Sequence, residues 1–437
     1  MSEERTRAAL VAVQLPDADD AAFASSVAEL GRLARTLGLD VVATVTQKRE
    51  ALEAAAVLGS GRLGDLKALA GKHASATDDE KDDEAEAEED DGAHRQIDVV
   101  LVDHDITPSQ ARNLEKATGV EVLDRTAVIL EIFRRHARSR VAKAQVEIVR
   151  LQYLVPRLRE SGKGRDRQRG GIGGKGAGES SLELDRRKIR DRIAELNREL
   201  ASLSEEASTQ RARRRDMNRV ALVGYTNAGK STLMRALTGS EVYVADKLFA
   251  TLDTTVRALV PETRPRILVS DTVGFIDKLP HGLVASFKST LDEALEASLL
   301  LHVVDASDGA FERQLDVTAE VLEEIGAGDV PRLLVFNKID RAVPDEATAC
   351  AALLRRWPDA VVMSARRPED VADLHARLVA HFGRYLVEGE VRVPYDRQQL
   401  RGQIYASCEV LGERYDDDAV IFRVRAAPAT LEKLRAA

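Results

Sequence analysis

Apolar and polar positions along the chain change period several times, and each change marks a different kind of element. Residues 8–15 and 39–46 are short apolar runs that read as strands, and between them residues 23–37 carry apolar side chains at helical spacing. A strand at 97–103, a helix at 109–118 opened by Pro108 and a short strand at 120–123 continue the alternation. This predicts a small α/β domain with a mainly parallel sheet over residues 1–124. From Arg125 the pattern predicts a long helix. Val141, Ala144, Ile148, Leu151, Val155 and Leu158 form a coiled-coil seam, which Pro156 should kink or end. Leu182, Ile189, Ile193, Leu196, Leu200 and Leu203 form a second seam, so residues 125–216 are expected to fold as an antiparallel helical hairpin. Strand-like runs return at 220–223, 256–260, 266–270, 332–336 and 360–363, with crossover helices at 291–298 and 311–325. They predict a mostly parallel α/β domain over 217–384. Residues 402–411, 419–424 and 428–435 suggest a ββα-type module in a small α+β domain at 385–437.

Charge changes this picture in one respect. The formal net charge is −9, but residues 77–91 alone carry eleven acids and one lysine, which leaves +1 for the rest. That aromatic-free acidic run reads as a disordered insertion in a loop. Residues 134–169 hold twelve Lys/Arg against three acids, and the charge runs onto a loop at 161–181 with eight glycines and the basic residues Lys163, Arg165, Arg167, Arg169 and Lys175. A glycine-rich basic tip cannot fold alone, yet it can lie along a phosphate backbone, so RNA contact is the expected role. Aromatics for base stacking are missing, which argues against sequence-specific single-strand readout. Cys350 and Cys408 are the only cysteines, the longest apolar run is far short of the ~20 residues of a membrane span, and the N-terminus lacks a signal peptide's pattern. A soluble, cytoplasmic, monomeric protein is expected.

The chemistry is carried by four short motifs, each after a strand. Gly224, Tyr225, Thr226, Asn227, Ala228, Gly229, Lys230 and Ser231 match the phosphate-cradling P-loop between a strand and a helix. Lys230 would place a point charge on the β/γ-phosphates, and the Ser231 hydroxyl would complete a Mg²⁺ site. Asp271, Thr272, Val273 and Gly274 place a carboxylate at a strand's end, where it holds Mg²⁺, and a Gly274 N–H within reach of a γ-phosphate. Asn337, Lys338, Ile339 and Asp340 put a carboxylate where it accepts from the ring N–H and exocyclic amine of guanine, which adenine lacks. Asn337 and Lys338 would brace that loop, and the backbone of Ser364, Ala365 and Arg366 would bond the guanine carbonyl. This order is that of the translation-factor class of GTPases, so the nucleotide is expected to be GTP. Between the first two motifs, Thr251, Thr254 and Thr255 are candidates for the hydroxyl that binds Mg²⁺ only while a γ-phosphate is present. Phe275 stands where other GTPases carry a water-orienting Gln, which predicts slow unassisted hydrolysis. Asn227 either helps hold a monovalent cation such as K⁺ against the phosphates or merely shapes the loop. Gly59-Ser-Gly-Arg-Leu-Gly64 matches G-x-G-x-x-G, but residues 51–58 before it look helical, whereas a dinucleotide fingerprint needs a strand there.

With these residues in place, the chain resembles the HflX family of ribosome-associated GTPases over nearly its whole length. The most specific signs are Gly170-Gly-Ile-Gly173, Gly178-Glu179 and Leu184-Asp-Arg-Arg187, with Phe249, Ala250, Thr251, Leu252 and Asp253 after Leu248, and Asp271 to Phe275. The family's switch I threonine matches Thr251, which selects it among the three candidates. Lys230, Thr251, Gly274 and Asn227 are then the expected catalytic residues, and Ser231, Thr251 and Asp271 the metal ligands. The resemblance implies an N-terminal domain that enters the large ribosomal subunit with its hairpin near the peptidyl-transferase centre, contact with its rRNA, and GTP-dependent splitting or rescue of stalled ribosomes under stress. The acidic insert departs from the common pattern, and the family's Gly-Glu-Thr-Gln reads Gly178-Glu179-Ser180-Ser181 here. Two other readings stay open: a GTPase that assists ribosome assembly or RNA modification, and a nucleotide-dependent switch that binds a protein through the coiled coil.

Overall fold

The computed structural model describes residues 6–71, 96–158, 181–212, 217–240, 248–279, 283 and 288–436. The acidic run at 77–91 and the loop with Gly170, Gly173, Gly178 and Glu179 lie outside the described residues. Contacts divide the chain into two units, one of residues 1–137 and 143–197, the other of 138–142 and 198–437.

In the first unit β1 (Arg7–Gln14), β2 (Asp40–Lys48), β3 (Val99–Val102) and β4 (Glu121–Asp124) form a parallel sheet in the order β2-β1-β3-β4. Alternate residues of β1 serve opposite faces, as strand geometry demands. Ala9, Val11 and Val13 pack with Leu66 of α2 (Ser60–Leu69) and Leu114 of α3 (Pro108–Thr118). Buried Leu30 and Leu33 belong to α1 (Asp20–Thr36), and Val128, Ile129 and Phe133 to α4 (Arg125–His136). The start of α3 was legible: Thr107 and Gln110 form a reciprocal capping box before Pro108.

Two expectations are corrected. Residues 51–58 are not helical: Glu53 and Val57 bridge across a turn, with Val57 at φ 68. Gly59 caps α2, so the glycine-rich match opens a helix without a strand directly before it. The long helix from Arg125 is two helices, α4 and α5 (Arg140–Leu158). Ala137 leaves helical geometry at φ −62 and ψ 119, and the Ser139 hydroxyl accepts the Ala142 N–H at 3.0 Å, restarting the helix with a new cap. Pro156 lies inside α5. On α6 (Ser181–Ala212) five of the six positions of the second seam face inward: Leu196 is buried, and Ile189, Ile193, Leu200 and Leu203 are half-buried among exposed neighbours, while the Leu182 side chain lies outside the described residues.

The second unit holds a six-stranded sheet in the order β10-β9-β8-β5-β7-β6: β5 (Asn218–Val223), β6 (Thr255–Ala258), β7 (Ile267–Asp271), β8 (Leu299–Asp305), β9 (Arg332–Asn337) and β10 (Val361–Val362). Only β6, at the edge, is antiparallel. The connections between strands are α7 (Lys230–Thr238), α8 (Lys288–Leu295), α9 (Phe311–Glu324) and α10 (Glu346–Arg356), with α11 (Pro368–Gly383) after β10. The chain after β5 and the chain after β8 proceed to opposite sides of the sheet, so the crevice at the carboxyl ends beside β5 is the position where ligands bind in such folds.

The C-terminal module is richer than expected. β11 (Val387–Pro394), β12 (Glu409–Tyr415) and β13 (Ala419–Ala426) form an antiparallel sheet in the order β11-β13-β12, with α12 (Gln398–Ser407) and α13 (Pro428–Ala436). Residues 402–407 are helical rather than the start of a strand, because buried Leu400, Ile404 and Cys408 recur every four residues.

Candidate functional site

The loop after β5 takes its shape from two glycines. Gly224 sits at φ 145, and a Cβ there would lie 2.2 Å from the Val303 carbonyl oxygen. Gly229, at φ 98, would drive a Cβ to 2.2 Å from Asn337 Nδ2. No side chain fits either position. The loop leads straight into α7, whose first residue is Lys230. Lys230 is 6% exposed, and its Nζ donates to the carbonyls of Gly224 at 2.9 Å and Tyr225 at 2.8 Å.

The carboxyl end of β7 meets this loop directly. Thr226 N–H donates to the Phe275 carbonyl at 2.7 Å, and Phe275 N–H donates to the Gly224 carbonyl at 3.1 Å. Gly274 is required by space: a Cβ would sit 2.7 Å from Thr226 Cα and 3.0 Å from Lys230 Nζ. The Phe275 ring is 2% exposed and packed in the core, so it cannot order water.

Ser231, Thr251 and Asp271 converge as expected. Ser231 Oγ lies 2.6 Å from Thr251 Oγ1 and donates to Asp271 Oδ2 at 2.7 Å. Asp271 is fully buried, and its Oδ1 accepts no hydrogen bond. A buried carboxylate oxygen without a donor, beside two hydroxyls, is what a hard cation needs. The donors are oxygen only and include one carboxylate, so they fit Mg²⁺ completed by phosphates and water. Among the described residues no cluster of three or more His, Cys, Asp or Glu is placed to hold an ion by itself. Burial pushes the Asp271 carboxyl up, while Lys230, Ser231 and Thr251 pull it down.

The segment carrying Thr251 is anchored at its front by Phe249 N–H, which donates to Thr226 Oγ1 at 3.0 Å. Ala250 lines the phosphate-side pocket, whereas Leu252 is buried. Asp253, expected at the nucleotide, instead accepts from the backbone N–H groups of Arg138 at 3.2 Å and Ser139 at 3.1 Å.

A second pocket adjoins the first and shares Asn227, Gly229 and Thr232 with it. It is lined by Asn337, Lys338, Asp340, Ser364, Ala365 and Arg366. Asn337 braces three motifs: its Nδ2 donates to the Ala228 carbonyl at 2.9 Å, and its Oδ1 accepts from Ala365 N–H at 2.9 Å. Lys338 Nζ donates to the Asn227 carbonyl and to Asp305 Oδ2, both at 2.7 Å. Ile339 and Val273 are buried. Burial tends to raise the Asp340 carboxyl, but the Ser364 hydroxyl, its own backbone N–H, Arg341 and Arg366 bring it below its ordinary value. It is ionised, and so accepts only. The backbone donors expected to meet guanine are engaged internally: Ser364 N–H with Asp370 at 2.7 Å, Ala365 N–H with Asn337, and Arg366 N–H with Ser364 Oγ at 3.3 Å. Sequence reasoning missed Asp305 and Asp370. Asp305 ends a strand as Asp271 does, so the same rule would have found it.

Lys230 supplies a prediction. Burial lowers its ammonium to about 8 from 10.5, with Asp271 opposing and Lys338 adding to the fall. Phosphates raise it again, so the bound form is protonated while the free form loses its proton as pH rises. Nucleotide binding at pH 8 is expected to take up about half a proton, and affinity to fall up to about tenfold per pH unit above that. Calorimetry in buffers of different ionisation enthalpy reads the uptake directly; none at pH 8 to 9 would show that Lys230 is charged throughout.

Comparison with known proteins finds GTPases. Residues 219–338 match the profile described as 50S ribosome-binding GTPase, residues 24–134 that of a GTP-binding GTPase N-terminal region and 136–214 that of a GTP-binding GTPase middle region. The chain is 56% identical over 442 residues to GTPase HflX of Gluconacetobacter diazotrophicus, covering 98% of this chain and 97% of that protein. It is 40% identical to GTPase HflX of Magnetococcus marinus, over 93% of this chain and 89% of the relative. Among solved structures, a GTP-binding protein from the archaeon Sulfolobus solfataricus in complex with GDP matches at 22% identity and a TM-score of 0.44, covering 85% of this chain and 99% of that one.

Proposed function

Since the chain belongs to the HflX family of GTPases and is a GTP hydrolase, we propose that it acts on the large ribosomal subunit, where its GTP state splits or rescues stalled ribosomes. The observation that carries the switch is the convergence of Ser231, Thr251 and Asp271 around an unsatisfied carboxylate oxygen. Those three residues, with the phosphates, would hold Mg²⁺ there, and the ion would supply charge neutralisation to the phosphate oxygens. Lys230 orients the phosphates, Gly274 N–H reports the γ-phosphate, and Asp340 selects guanine. Thr251 reaches the ion only in the triphosphate state, so segment 248–253 differs in order between GTP and GDP. Asn227, which lines both pockets with φ 60, would hold a K⁺ that supplies the charge an arginine gives elsewhere.

The ribosomal role is supported by the description of the matching GTPase profile and by the twelve Lys/Arg of residues 134–169. Among the described residues no helix is long and apolar enough to cross a membrane. Hydrolysis is expected to be slow alone and to rise at least tenfold with large subunits, and faster turnover in potassium than in sodium buffer is expected. Co-sedimentation should occur with a GTP analogue, weaken with salt, and fail with GDP. The absence of both stimulation and co-sedimentation would sink the ribosomal reading. A preference for immature subunits would move it to assembly, and equal rates in both buffers would remove the cation.

A further inference from the structure

The switch segment makes one contact that nucleotide chemistry does not require. Asp253 lies two residues beyond Thr251, and its Oδ2 accepts the backbone N–H groups of Arg138 and Ser139 at 3.2 and 3.1 Å. Its Oδ1 accepts the Ser139 hydroxyl. The Ser139 oxygen in turn accepts the Ala142 N–H at 3.0 Å, and so caps the first turn of α5. A carboxylate at this position faces the positive end of the helix and takes the N–H of its N-cap residue, Ser139, together with that of Arg138 just before it. The same turn is held from another side by Arg140, whose Nη2 donates to Glu199 of α6 at 2.8 Å. Residues 138–142, Glu199 and Asp253 all belong to the unit that carries the nucleotide site.

Segment 248–253 is therefore pinned at three points: Phe249 on Thr226, Thr251 on Ser231, and Asp253 on Ser139. Thr251 and Asp253 are separated by a single residue, a span of at most about 7 Å. Movement of one hydroxyl toward or away from an ion is passed to the other end of so short a strap.

We infer that Asp253 is the positioning residue that transmits the nucleotide state to the first turn of α5, with Ser139 as the receiving group. In the triphosphate state Thr251 is held, Asp253 stays on the helix terminus, and the turn at 138–142 is closed. Loss of the γ-phosphate frees Thr251, Asp253 withdraws, and the turn frays. This rests on the reading of Thr251 as the switch hydroxyl.

Amide hydrogen exchange on the full chain, with a Mg²⁺-loaded GTP analogue and with GDP, tests it. Protection at 138–142 is expected to be at least about fivefold greater with the analogue, in parallel with protection at 248–252. Ser139→Ala leaves the two backbone bonds to Asp253 but removes the hydroxyl contact, and so should reduce the difference at 138–142 while leaving analogue affinity and the response of 248–252 as in the native chain; Ser139→Thr should restore it. Asp253→Ala keeps the Ser139 cap on Ala142 and should also remove the difference. A nucleotide response at 248–252 with none at 138–142 overturns the coupling alone, as does a difference that survives undiminished in both variants. No response at 248–252 overturns the switch reading and this inference with it.

Discussion

Replacing Asp340 by Asn is expected to weaken GTP binding about 10²- to 10⁴-fold while leaving the fold intact. Asp340 is exposed on the single 3₁₀ turn Ile339–Arg341 and lines the base pocket, and the Ser364 hydroxyl, with Arg341 and Arg366 nearby, keeps it ionised. Each hydrogen bond to a charged group contributes about 1.5–3 kcal/mol, and guanine offers two donors to this carboxylate. An amide replaces one acceptor by a donor, so one bond is lost and a donor then faces the guanine amine. Xanthine carries a carbonyl where guanine carries that amine, and the Asn variant should bind its triphosphate better than GTP. Competition binding with guanosine, xanthosine and adenosine triphosphates measures this. A variant with undiminished preference for GTP would show that another group selects the base. The phosphate end should be unaffected, because Lys230 and Ser231 are held by their own partners.

Arg125 gives the second large effect, on stability. It is 1% exposed in the first unit, and its guanidinium donates to Asp103 Oδ1 at 2.7 Å and to Glu29. Asp103 also accepts the Ser26 hydroxyl at 2.6 Å. Both carboxylates are buried, so Arg125→Met leaves them facing each other in an apolar setting. Breaking such a buried arrangement by removing one partner costs about 3–5 kcal/mol. For a domain of this size that lowers its unfolding temperature by on the order of 10 °C. Calorimetry of the full chain should show the loss in the transition of the N-terminal domain, with GTP affinity unchanged. A shift of only a degree or two would mean that the carboxylates find other partners or water.

The contrast between the two sites shows what a single sequence can display. The nucleotide site was legible because its motifs are local: each is a few consecutive residues after an apolar run, and each chemical role is tied to a residue type at fixed spacing. Gly224, Gly229 and Gly274 could be marked as necessary before the atoms that exclude a side chain were known. The buried triad was invisible, since Glu29, Asp103 and Arg125 come from three distant segments and nothing in their neighbours announces a pair. The α4–α5 break was missed for another reason. The apolar period runs on across it, and a Ser before a basic helix is a weak signal until its hydroxyl is seen to cap Ala142.

The sequence by itself determined the guanine-nucleotide chemistry, the mainly parallel α/β character of the four- and six-stranded sheets and the seam positions of the long helices, because these rest on periodicity and contiguous motifs. Only the tertiary structure decided that Asn337 braces the P-loop and the Ser364–Arg366 turn together, that Lys338 is held by Asp305, and that Asp253 turns toward Ser139. Those contacts join residues 28 to 114 positions apart. Long-range pairing depends on how the strands are ordered in the sheet, and no local pattern encodes that order.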